Sequence, residues 1–132
     1  MIKKIDHLGI AVNDMKQAAE DFARAFGIVL GGEEEVPSQK VKVGFLQVGE
    51  VRLELLQPLE ADSPVGKFLS SRGEGFHHIA FEVDDIESDL RKAESAGLTL
   101  VDKTPRSGAH GTKVAFIHPK STHGLLVELV QK

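Results

Sequence analysis

From Ile5 to Val12 apolar positions alternate loosely with others, in a segment rich in β-formers, and predict a strand. Asn13 and Asp14 follow, and Asp14 with Gln17 has the spacing of a capping box. Met15, Ala18, Ala19, Phe22, Ala25 and Phe26 then recur at helical spacing, giving one apolar face that Gly27 is placed to stop. The polar residues from Glu33 to Gln39, with Pro37 among them, predict a loop. Two strands come next, Val41 to Val48 and Val51 to Gln57, joined as a hairpin at Gly49-Glu50 and closed by Pro58. A connector over 60–74 carries a short helical piece around Val65 to Leu69.

The pattern then restarts. Phe76 to Val83 predicts a strand, Asp84-Asp85 a cap, and Ile86, Leu90 and Ala93 the apolar face of a second helix that stops near Gly97. Leu98 to Val101 predicts a short strand and Ser107 to Gly111 a loop. Lys113 to His118 predicts a strand, Pro119 to Gly124 a turn, and Leu125 to Gln131 the last strand. Asp6 to Asp14 superposes on His77 to Asp85 at an offset of 71, and Val51 to Leu55 on Leu125 to Leu129 at an offset of 74. Each half therefore reads strand, helix, then three strands. Two copies are too few for a solenoid. The expected fold is α+β: two βαβββ modules, residues 1–60 and 75–132, related by a pseudo-twofold axis. They form one curved, partly closed mixed sheet with the helices outside, in a single domain of 132 residues.

Composition narrows the function. A net charge of −4 gives no general reason to expect nucleic acid or an anionic membrane as partner. The chain has no cysteine, which excludes disulfides, thiolate zinc sites and cysteine nucleophiles. No apolar run approaches the ~18 residues of a membrane span, and Met1 to Lys4 lead straight into a strand-like segment without a signal-peptide stretch. The expectation is a cytoplasmic protein.

The repeat also locates candidate chemistry. His7 and His78 occupy equivalent positions in the opening strands, and Glu54 and Glu128 in the closing strands, each glutamate inside an apolar run. A carboxylate in such a run costs several kcal/mol to desolvate unless it is paired or binds a metal. Alone, His7 reads as an ordinary strand histidine, and Glu54 as a partner of Arg52 on the same strand face. Recurrence in register in both halves favours one divalent ion held by His7, Glu54, His78 and Glu128. Two imidazoles and two carboxylates suit a borderline-hard ion. Six-coordination points to Co²⁺ or Mn²⁺, with Ni²⁺ and Zn²⁺ left open. His77 points away from His78 by strand alternation, and His123 falls in a turn.

This pattern resembles the vicinal oxygen chelate (glyoxalase-like) superfamily and, within it, the methylmalonyl-CoA epimerase family. The resembling stretches are Ile5-Asp6-His7, Glu54 to Leu59, Gly75 to Ala80 continuing into Val83 to Ile86, and Phe116 to Ser121 through Leu126 to Leu129, which together span essentially the whole chain. The resemblance implies interconversion of (2R)- and (2S)-methylmalonyl-CoA by deprotonation at C2, through an enediolate stabilised by the ion. It also implies a homodimer, methylmalonyl-CoA or a similar acyl-CoA as substrate, and Glu128 as both ligand and catalytic base. Some relatives carry a second catalytic glutamate where this chain has Val43. Alternation puts none of Gln39, Lys40 and Lys42 on the Val43 face except through loop geometry, so a water, a loop residue or another carboxylate is left for that role. From Lys103 to Val127 no residue is acidic while Lys103, Arg106, Lys113 and Lys120 are basic, and Ser107 to Gly111 could offer backbone N–H groups to a phosphate. Two other readings share the superfamily plan. One is a glyoxalase-type isomerase or lyase; the other is a non-catalytic small-molecule binding protein, against which the metal quartet argues.

Overall fold

The computed structural model describes Met1–Lys132 and runs β1 (Ile2–Ala11), α1 (Met15–Phe26), β2 (Leu30–Val36), β3 (Val41–Val48), β4 (Val51–Pro58), α2 (Pro64–Arg72), β5 (Gly75–Val83), α3 (Ile86–Ser95), β6 (Arg106–Ser107), β7 (Lys113–Ile117) and β8 (Val127–Gln131). The caps fall where the sequence puts them. Asp14 accepts the Gln17 N–H at 3.2 Å, Asp85 accepts that of Ser88 at 3.2 Å, and Gly27 closes α1 at φ 69° with its N–H on the Ala23 carbonyl. α2 is longer than the Val65-to-Leu69 piece because Ser63 caps it, its Oγ accepting the Gly66 N–H at 3.1 Å.

Two expected elements differ. The polar stretch from Glu33 is strand as far as Val36, and only Pro37–Gln39 turns, as a short 3₁₀ segment. Exposed charge suits an outer strand, so polarity there did not mean loop. Leu98 to Val101 is not a strand. It makes one isolated bridge, Leu100 to Ile117, and β7 takes Arg106–Ser107 as its antiparallel neighbour instead.

The chain divides into two compact units, His7–His77 and Met1–Asp6 with His78–Lys132. In the first, the strand order is β2-β3-β4-β1, with β1 parallel to β4 and the other pairs antiparallel. α1 covers one face, packing Val12, Met15 and Ala19 with Leu46 and Leu55. Met15 lies so close to β3 that a Cβ on Gly44 would come within 2.8 Å of its Sδ. In the second unit the order is β5-β8-β7-β6, with β5 parallel to β8. α3 places Ile86 and Leu90 against Ala115, Ile117, Val127 and Leu129. The repeat extends to how each helix is anchored: the Met15 N–H donates to Gln57 Oε1 at 2.8 Å, and the Ile86 N–H to Gln131 Oε1 at 2.8 Å. Each unit thus carries a βαβββ module in an α+β fold, as the repeat predicts. No helix is long and apolar enough to cross a membrane.

An ionic cluster ties the start of β1 into the second unit. Lys132 Nζ lies 3.1 Å from Asp6, which is 1% exposed, and 3.0 Å from Glu82. Lys3 reaches Glu82 and Asp84, each at 3.3 Å. The hydrogen bond from Lys132 holds the Glu82 carboxyl below its ordinary value, and the bond to Glu82 holds the Lys132 ammonium above its own. A depressed carboxylate stabilises the fold above its unfolded value, and that stability is lost as pH falls through the folded one. The raised ammonium does so below its unfolded value, with loss as pH rises through the folded one. Lys132→Met is therefore expected to cost about 0.5–1 kcal/mol at neutral pH, after allowing for the half-exposed ammonium, or roughly 2–4 °C in melting temperature. The difference from the wild type should shrink in acid and again in strong alkali. A pH-independent difference would rule out the ionic origin.

Candidate metal centre

Strand alternation puts the candidate ligands on the faces that the helices leave. In the first unit α1 packs on Ile10, Leu46, Leu53 and Leu55, so His7 and Gly9 of β1, Val43 and Phe45 of β3, and Arg52, Glu54 and Leu56 of β4 face the other way. In the second unit α3 packs on Ile79, Phe81, Val127 and Leu129, so His78, Ala80, Phe116 and Glu128 share the opposite face.

Within the first unit, His7 Nδ1 lies 3.2 Å from Glu54 Oε2; within the second, His78 Nε2 lies 2.9 Å from Glu128 Oε1. All four are buried, with 5% of His7 and Glu54 and 3% of His78 and Glu128 exposed. The surroundings of the two glutamates match as well. Glu54 has Gly9 beside it on β1 and Phe45 on β3; Glu128 has Ala80 on β5 and Phe116 on β7. A small residue on one side leaves space over the carboxylate, and an aromatic ring on the other walls it from water. The Phe116 ring meets His78 edge-on, with centroids 5.5 Å apart. Phe45 and Phe116 were missed in the sequence, although they stand at the same offset of 71 as the two histidines.

One neighbour breaks the symmetry. Arg52 donates to Glu54 Oε2 from Nη2 at 3.0 Å and from Nε at 3.3 Å, the pairing that the sequence offered as an alternative to a metal. The place matched to Arg52 in the second half is Leu126. Each guanidinium near the site also lies over a ring, Arg52 at 6.0 Å from the Phe45 centroid and Arg106 at 5.7 Å from that of Phe116. His77 is off the site face, its ring edge-on to Phe68 at 5.0 Å, and His123 is exposed.

The donors fit a divalent ion on chemical grounds. Two buried carboxylates, each already in contact with an imidazole, call for compensating positive charge, and oxygen with nitrogen is the donor mix that first-row divalent ions accept. Arg52 meets part of that demand at Glu54, and Leu126 supplies none in the other half. Binding would require each imidazole to present an unprotonated nitrogen.

The basic stretch is only partly gathered. Lys103, Arg106 and Lys113 line a concavity of about 570 Å³ beside α3 together with Arg91, but Glu87 and Glu94 share it. Lys120 lies in the 3₁₀ turn Pro119–Ser121. The Gly108 N–H is engaged by the Thr112 carbonyl at 2.9 Å, so the loop has fewer donors for a phosphate than its composition suggested.

Residues 6–116 match the model of the Glyoxalase/Bleomycin resistance protein/Dioxygenase superfamily, and the chain belongs to that superfamily. Relatives that match over nearly the whole of this chain include epimerases. The ethylmalonyl-CoA/methylmalonyl-CoA epimerase of Cereibacter sphaeroides is 38% identical, over 99% of this chain and 99% of its own. The human mitochondrial methylmalonyl-CoA epimerase is 36% identical, over 97% of this chain and 73% of its own. A solved structure of the Streptomyces coelicolor methylmalonyl-CoA epimerase with 2-nitronate-propionyl-CoA matches at a TM-score of 0.96 and 36% identity, covering 100% of this chain and 96% of that one. The chain is accordingly an enzyme of the racemase and epimerase type, with the α+β fold of those structures.

Proposed function

We propose that the chain interconverts the C2 epimers of methylmalonyl-CoA or a similar acyl-CoA, with His7, Glu54, His78 and Glu128 holding one divalent ion, Co²⁺ or Mn²⁺ before Ni²⁺ or Zn²⁺. The observation that carries the reading is the pair of buried His–Glu contacts, one per βαβββ module and at matched strand positions. Both halves carry the same costly arrangement. Epimerase relatives over the whole length supply the substrate class.

The C2 hydrogen of such a substrate lies between a thioester carbonyl and a carboxylate, so removing it leaves an electron pair that delocalises onto oxygen. When bound, the ion supplies positive charge at those oxygens. Glu128 takes the proton on a carboxylate oxygen. It stands next to His78 without a guanidinium on its own strand, whereas Glu54 is held by Arg52 and serves to keep the site in place. Phe45 and Phe116 keep bulk water from the planar carbon, which must be reprotonated on the opposite face for inversion. The reading also includes a cytoplasmic homodimer.

Incubation of the purified protein with (2R)-methylmalonyl-CoA in D₂O, with Co²⁺ or Mn²⁺ supplied, is expected to place deuterium at C2 and to yield both epimers. Retention of all the C2 protium would overturn the reading.

A further inference from the structure

Inversion at C2 needs a proton donor on each face of the planar carbon, and Val43 cannot provide one. We infer that Glu34, on the outer strand β2, is the second acid–base residue. The inference rests on the epimerase reading.

Glu33, Glu34 and Glu35 are consecutive, and alternation separates them. Glu33 and Glu35 lie opposite Gly44 and Lys42, and Lys42 Nζ is 2.8 Å from Glu33 Oε1. Glu34 lies directly opposite Val43 and so shares the face of Val43, Phe45 and Glu54. This placement is the work of a bulge. Leu30 pairs with Leu46 on the α1 side, but the register shifts by one residue between Leu30 and Glu33, across Gly31-Gly32. Without the shift Glu34 would lie opposite Lys42, on the side of Leu46. One extra residue turns the carboxylate to the other face, a common use of bulges beside active sites.

The reach is adequate. Two strand spacings of about 4.8 Å and two residues of about 3.4 Å put the Glu34 and Glu54 Cα atoms roughly 12 Å apart in a flat sheet. Two extended glutamate side chains and a small acyl group span that gap. The floor between them is apolar: Val43, Phe45 and Leu56 are buried, and Glu34 itself is partly exposed. In one direction the C2–H bond breaks to an oxygen of ionised Glu34, the electron pair passes into the thioester carbonyl, and Glu128, protonated at the start, gives its proton to the opposite face and ends ionised. The reverse direction exchanges the two roles, and no co-reactant is consumed.

A single base removed from a two-base pair has a signature that structural damage lacks. With the wild type, both epimers exchange C2 hydrogen with D₂O. Glu34→Gln should still exchange the epimer whose hydrogen faces Glu128, without inverting it. Exchange of the other epimer should fall by at least about 10²-fold. Glu34→Asp should recover part of that loss, and Glu33→Gln, on the opposite face, should exchange both epimers as the wild type does. Equal rates for the two epimers in Glu34→Gln, whether unchanged or slowed alike, would overturn the assignment. Absence of exchange in the wild type would instead remove the epimerase reading itself.

Discussion

Replacing Glu128 with glutamine is expected to lower kcat by about 10²–10⁴ while leaving the ion bound. The amide keeps the size of the carboxylate and one oxygen able to coordinate, but it cannot accept and return a proton at C2. The 2.9 Å contact with His78 can be kept by the amide, so the fold should tolerate the change. Glu54→Gln is the comparator. Its oxygen holds position beside Arg52, and activity should stay within about tenfold of the wild type. His78→Ala should lose both activity and stoichiometric metal, because in the proposed site it removes a ligand outright. Metal analysis by equilibrium dialysis, run beside the kinetics, separates the two roles. If Glu128→Gln kept near-normal turnover, Glu128 would be a ligand alone. If His78→Ala and Glu54→Ala both kept stoichiometric metal, the quartet would be wrong.

Ile86→Ala carries the largest expected loss of stability, about 2–5 kcal/mol, or roughly 8–20 °C in melting temperature. Ile86 is fully buried at the first position of α3, in the cluster with Leu90, Ala115, Ile117 and Leu129. Its N–H is fixed to Gln131, so the backbone cannot easily move in to fill the space. Ile86→Val should cost only about 0.5–1.5 kcal/mol. Phe26→Ala, at a residue 70% exposed, should cost less than about 0.5 kcal/mol. A loss below about 1 kcal/mol for Ile86→Ala in thermal or denaturant unfolding would mean that α3 does not dock as described.

The contrast between the helices and β2 shows why some of the fold is legible and some is not. Asp14, Gly27 and Asp85 act on residues within one or two turns, so their effect can be read along the chain. β2 could not be read in this way. Its charges suit an outer strand, and only the partner β3 shows that Glu33 to Val36 is extended. The bridge from Leu100 to Ile117 and the pairing of Arg106 with Val114 are likewise choices of partner, which local composition does not encode.

For the candidate site, duplication stood in for tertiary information. His7 and Glu54 are far apart in sequence, and neither alone is distinctive; the same holds for His78 and Glu128. The shared offsets marked all four, and the structure places each histidine against the glutamate of its own half. The sequence by itself therefore determined the two βαβββ modules, the helix caps and four candidate ligands, because periodicity, capping and repetition are properties of neighbouring residues or of the chain compared with itself. Tertiary structure alone decided that Phe45 and Phe116 flank the glutamates and that Glu34 turns to the site face. These depend on strand register, where a shift of one residue sends every side chain to the opposite face.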